Sequence, residues 1–72
     1  MTRYANLGGN SNVYSYEIGD SYIRVKFNGT TRIYSYSYSK TGRHHVDRMK
    51  GLAGSGQGLN SYIMRNVKQL FD

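Results

Sequence analysis

A chain of 72 residues makes one small domain, and at that size folding hides only about 60% of the surface that the unfolded chain would expose. It contains no cysteine and no cluster of metal-type ligands, which excludes disulfides and a structural metal as staples and leaves apolar and tyrosine packing to hold the fold. Ten Lys and Arg against four Asp and Glu leave a net charge of +6, a balance suited to polyanions such as nucleic acid or an acidic protein face.

The opening residues, Met1-Thr2-Arg3-Tyr4-Ala5-Asn6, run into Leu7-Gly8-Gly9-Asn10-Ser11-Asn12. There is little periodicity here, so residues 1–12 are expected to be a flexible lead-in to a single domain over 13–72. They include no apolar signal-type stretch, and no run in the chain is long enough to cross a bilayer. A soluble, unexported, cytoplasmic protein is the expectation, and the lack of cysteine fits a reducing compartment.

From Val13 the pattern alternates. Tyr14, Tyr16 and Ile18 interleave with Ser15 and Glu17; after Gly19-Asp20, Ile23, Val25 and Phe27 fall on one side of a second run. Asn28-Gly29 signals a type I′ hairpin, and the third run carries Tyr34, Tyr36 and Tyr38 at period two. Two-residue turns at both places pair Tyr16 with Ile23 and Ile23 with Tyr34. Tyr14, Tyr16, Ile18, Ile23, Val25, Phe27, Tyr34 and Tyr36 then share a core face, with Arg32 awkwardly at its rim. Ser15, Glu17, Tyr22, Arg24, Lys26, Thr31, Ile33, Ser35 and Ser37 form the other face.

Beyond Ser39-Lys40-Thr41-Gly42 the period lengthens. Val46, Met49, Lys50 and Ala53 predict a helix over about 44–53, and Leu59, Tyr62, Ile63, Val67, Leu70 and Phe71 predict a second one running to the C-terminus. The expected fold is α+β, β-β-β-α-α: a three-stranded antiparallel meander with two C-terminal helices on one face and a basic face left open.

His44-His45 with Asp47 invites a metal or acid–base reading, but adjacent helical residues point about 100° apart and zinc needs three or four converging ligands. They read better as polar residues on a first helical turn. No serine sits in a strand-turn-helix elbow with a base in view. Neither an enzyme nor a cofactor is expected. The loop Gly54-Ser55-Gly56-Gln57-Gly58 has two readings, an anion site of backbone amides at a helix start or a tight helix–helix turn; it lacks the ending of a P-loop and does not follow a strand. On the open face Tyr22, Arg24 and Lys26, with Tyr38, Lys40 and Arg43 nearby, are the candidate contact residues, the cations for phosphates and the tyrosines for stacking or for a partner's pocket.

Tyr34-Ser35-Tyr36 in a strand, then Val46, Met49, Leu52-Ala53, Ser55-Gly56 and Gly58-Leu59-Asn60-Ser61-Tyr62-Ile63 resemble the KTSC domain over about residues 12–71. That family occurs alone in bacterial and phage proteins and at the C-terminus of some lysyl-tRNA synthetases. The resemblance implies a compact sheet-plus-helix module, with RNA binding suggested by the synthetase context. Gly51-Leu52-Ala53-Gly54-Ser55-Gly56-Gln57-Gly58 is also similar to the helix–helix loop of a small phage anti-CRISPR protein that docks on the backbone subunits of a type I surveillance complex, although the tyrosine ladder has no counterpart there. The expected function is therefore RNA binding through the basic, tyrosine-bearing sheet face. The alternative is a phage inhibitor or docking module for a host protein complex. Self-assembly through the Tyr-rich edge strand is a third option.

Overall fold

The computed structural model describes residues 1–9 and 11–72; Asn10, within the expected lead-in, lies outside them. The elements are β1 (Thr2–Arg3), β2 (Val13–Ile18), β3 (Tyr22–Phe27), β4 (Ile33–Ser37), α1 (Arg43–Ser55) and α2 (Leu59–Tyr62), which continues as a π-helical turn over Ile63–Val67. The strands form an antiparallel sheet in the order β1-β2-β3-β4, with α1 and α2 packed on one face. The α+β architecture is as expected, but the sheet has four strands and not three.

The extra strand comes from the expected lead-in. Thr2 lies opposite Tyr16 and Arg3 opposite Ser15, and the Tyr4 amide donates to the Tyr14 carbonyl at 3.0 Å. Tyr4 is only 3% exposed, and its hydroxyl accepts the Leu59 N–H at 3.2 Å. Alternation cannot reveal a two-residue strand, because its position is decided by the bonding edge of β2 and by a side chain that reaches 55 residues along the chain.

Both hairpins sit in a register other than the expected one. The first turns at Asp20-Ser21, since the Gly19 amide bonds the Tyr22 carbonyl and Ile18 faces Ile23. A Cβ at Gly19 would lie 2.1 Å from Cε2 of Tyr22, whose ring covers the glycine and would have to swing aside. In the second hairpin only Gly29 takes positive φ (80°), so no type I′ turn forms and the loop extends over residues 28–32. Asn28 instead donates its N–H to the Asn12 carbonyl at 2.8 Å. Val25 therefore faces Tyr34, and Ile23 faces Tyr36. Each slip moves a partner by two positions, and because side chains alternate with period two, the faces survive.

Two assignments on β2 do not survive. Between Val13, which faces Phe27, and Ser15, which faces Lys26, β2 holds an extra residue, Tyr14. This bulge puts Val13 in the core and turns Tyr14, 38% exposed, to the open face. Ile18, expected inside, is 47% exposed at the sheet margin, while Arg32 lies 4.9 Å over the Tyr34 ring and 5.8 Å over that of Phe71. Ser15 faces the open side yet is buried, beside the Met1 sulfur.

The helices bury the residues that the sequence selected. On α1 these are Val46, Met49 and Ala53; on the last helical segment they are Leu59, Ile63 and Val67. A spacing of four drifts by about 40° per step on a regular α-helix, and the wider π turn counteracts that drift so that all three stay on the sheet. The expected helix to the C-terminus stops at Val67. Phe71 folds back against Tyr34 (4.8 Å between ring centroids), and Asp72 bonds β4 through its N–H to the Ser35 carbonyl (2.7 Å) and its carboxylate to the Ser37 hydroxyl (2.8 Å). Leu70, counted in the stripe, is exposed. No helix among the described residues is long and apolar enough to cross a membrane.

The glycine-rich loop joins α1 to α2. Gly56 caps α1 in the left-handed region (φ 77°), donating to the Leu52 and Ala53 carbonyls, and its own carbonyl accepts the Leu7 N–H at 2.8 Å. A Cβ here would lie 2.6 Å from that of Ala5. Gly56→Ala is expected to lose about 2 kcal/mol through backbone strain and displacement of residues 5–7, lowering Tm by roughly 8–16 °C. Gly54→Ala, in α1 with open space around it, should instead gain about 0.5–1 kcal/mol. Thermal unfolding of both variants checks the pair.

Candidate nucleic-acid interface

The face of the sheet opposite the helices is built by alternation. Lys26, Arg24 and Tyr22 occupy alternate positions of β3, about 6.8 Å apart. Ser15, Glu17 and Tyr14 on β2, Arg3 on β1, and Ile33, Ser35 and Ser37 on β4 complete it. Arg3 and Lys26 both approach the Tyr14 ring, at 4.9 and 4.5 Å, and Arg24 lies 4.7 Å over Tyr22. Glu17 supplies the acid, pairing with Arg24 at 3.1 Å and accepting the Tyr22 hydroxyl at 3.2 Å.

Three cations outweigh Glu17 and the Asp72 carboxylate that Ser37 holds at the β4 margin, and leave the face positive. The Arg24–Glu17 pair is half-exposed and adds little to stability, so its role is to fix where the guanidinium lies. A guanidinium stacked on a tyrosine keeps a planar outer surface, on which a base can itself stack. Tyr22 is half-buried between Arg24 and Gly19, so the more accessible ring is that of Tyr14, which sequence reasoning put in the core. Arg3 was missed for a related reason, since it belongs to the strand that alternation could not show.

The six residues singled out from the sequence separate into two groups. Tyr22, Arg24 and Lys26 share the open face, whereas Tyr38 turns toward α1. The Tyr38 hydroxyl donates to Asp47 (2.6 Å) and accepts from Lys50 (3.3 Å), and its ring lies 5.5 Å from the Arg43 guanidinium. Arg43 also pairs with Asp47 at 3.5 Å. The hydrogen bond from Tyr38, helped by Arg43 and Lys50, holds the Asp47 carboxyl below its ordinary pKa. Lys40 is exposed in the turn that connects β4 to α1. The divergence has a geometric cause: Tyr38 keeps the parity of Tyr36, and that parity faces the helices.

The histidines also diverge. His45 Nδ1 shares a 2.7 Å hydrogen bond with the Tyr62 hydroxyl, His44 is exposed, and no three of His, Cys, Asp and Glu converge among the described residues. In the glycine-rich loop, the amide that opens α2, that of Leu59, is occupied by Tyr4, and Gly56 and Gly58, both at positive φ, are accounted for by turn geometry and packing.

No protein-family model, curated protein or solved structure matches the chain. Two of its surfaces are candidates for binding, the open face and a cleft on the helix side.

That cleft, of about 540 Å³, opens between the β3–β4 loop and the last helical turns. Phe27, Tyr34, Tyr36 and Phe71 line it, with Met64, 46% exposed, on the helical wall. The sequence shows these residues as core positions. Only the early end of the helix and the return of Phe71 leave a hollow among them. The one signal present beforehand was Met64, an apolar residue on the polar side of the last stripe.

Proposed function

We propose that the domain is a non-catalytic module that binds single-stranded nucleic acid, RNA before DNA, on the open face of its sheet. The supporting observation is the cluster of Arg3, Lys26 and Arg24 around the Tyr14 and Tyr22 rings on a sheet face that no helix covers. The cations neutralise phosphates, and Tyr14 with the Arg24–Tyr22 stack carries unpaired bases. A duplex presents no base faces to such a platform, so a single strand is the better fit. The resemblance to the KTSC domain favours RNA.

The test is fluorescence anisotropy of labelled single-stranded RNA, duplex RNA and DNA from low to physiological salt. Binding of single strands should fall log-linearly with salt. Arg24→Ala/Lys26→Ala should lower affinity at least tenfold and reduce the salt slope by about 1.4, at about 0.7 per lost phosphate contact. Arg3→Ala should add to that loss. Lys40→Ala, away from the face, should change it little. Absence of binding at every salt would overturn the reading and turn attention to the alternative, a protein partner docking on the same face through Tyr14, Tyr22 and the exposed Ile33.

A further inference from the structure

The cleft on the helix side carries a chemistry distinct from that of the open face. Its walls are aromatic rings in edge-to-face contact, Phe27 with Tyr34 at 5.5 Å and Tyr34 with Phe71 at 4.8 Å. Its rim is rich in carboxamides: Asn12 and Asn28 from the loops, Asn60 and Gln69 from the helical side. Lys68 is the cation in the lining, and none of the described lining residues is a carboxylate. Arg32, stacked over Tyr34 and Phe71, adds positive charge beside two of those rings.

Each feature restricts the ligand. Aromatic walls favour a planar ring system, and the volume is in the range of small-molecule sites. A carboxamide presents a donor and an acceptor side by side, the complement of the edge of a nucleobase, and several around one hollow offer such pairing from more than one direction. A lysine without a carboxylate in the lining asks for an anion. A cationic ligand would meet Lys68 unopposed.

We propose that this cleft binds a nucleobase carrying a phosphate, either a free mononucleotide or one unstacked nucleotide of a strand. The ring lies against the continuous wall of Phe27, Tyr34 and Phe71, opposite Met64, the carboxamides engage its edge, and Lys68 holds the phosphate. The site lies on the opposite side of the sheet from the open face and stands independently of it, because Phe27, Tyr34 and Tyr36 project toward the helices.

The experiment is a titration of ¹⁵N-labelled protein, followed by NMR, with AMP, UMP, adenosine and a single-stranded tetranucleotide. Saturable shifts at Asn28, Thr30, Met64, Lys68 and Gln69 are expected, with Arg24 and Lys26 unmoved by the mononucleotides. Lys68→Ala should weaken mononucleotide binding about tenfold, the loss of one charge-assisted contact, and leave adenosine unchanged. Shifts of the same residues by the tetranucleotide alone identify a strand as the source and support the site. If none of the four probes shifts these residues saturably up to roughly millimolar concentration, or if Lys68→Ala weakens adenosine equally, the proposal is overturned. Arg24→Ala/Lys26→Ala should keep every cleft signal, so the cleft and the open face can fail separately.

Discussion

Tyr4→Ala should leave little folded protein at room temperature. Removing a buried aromatic ring costs about 3–5 kcal/mol, and losing the hydroxyl leaves the Leu59 N–H without its partner, at about 1–3 kcal/mol more. At roughly 0.05–0.15 kcal/mol per residue, a domain of this length has about 4–11 kcal/mol in total, so the loss is comparable to the whole. Tyr4→Phe separates the two contributions. It keeps the ring and its edge-to-face contact with Tyr16 but frees the Leu59 amide, and should lower stability by about 1–3 kcal/mol, or Tm by roughly 4–24 °C. Urea unfolding of both variants checks this. A loss below about 1 kcal/mol for Tyr4→Ala would mean that the N-terminal segment unfolds independently of the rest.

Alkaline pH should destabilise the domain through Tyr36. Burial, reinforced by the neighbouring Tyr34, raises its phenol from the ordinary 10.0 to about 12. The unfolded chain then loses this proton more readily than the folded one. The associated stability is fully present below about pH 10, declines as pH rises, and is gone above about pH 12. Two pH units at about 1.4 kcal/mol each give an order-of-magnitude loss of 3 kcal/mol from this residue. Tyr36→Phe removes the ionisable group and keeps the ring that fills the core between Ile23 and the helices. Its stability should therefore change much less than that of wild type between pH 9 and 11, roughly one unit either side of the normal phenol pKa. Denaturant titrations at a series of pH values measure the difference directly, and parallel curves for the two proteins would exclude Tyr36 as the cause.

Both predictions concern residues whose importance is read unequally from the chain. Tyr36 stands in a strand of clear alternation, and its inward direction follows from period two whatever the register. Tyr4 stands among residues with no period at all. It is placed by an amide 55 positions later and by the one open bonding edge of β2, neither of which is a local property.

The same division runs through the candidate sites. Tyr22, Arg24 and Lys26 were legible as a set because alternate residues of one strand must share a face. Arg3 and Tyr14 were not, since one belongs to a strand too short to show a period and the other to a bulge that reverses it. Tyr38, Lys40 and Arg43 lie near that set in the sequence, but strand parity and the start of α1 carry Tyr38 and Arg43 to the helix side.

By itself, then, the sequence determined the α+β class, the inward residues of β3, the inward Tyr36 of β4, the buried stripe of each helix, and the basic character of the outward face, because each follows from a short-range period or from composition. Tertiary structure decided the fourth strand, the two registers, the bulge at Tyr14, the end of the last helix at Val67 and the cleft that this end leaves beneath Phe71. These depend on hydrogen-bonding edges and on volumes that exist only after distant segments have met, so no local pattern encodes them.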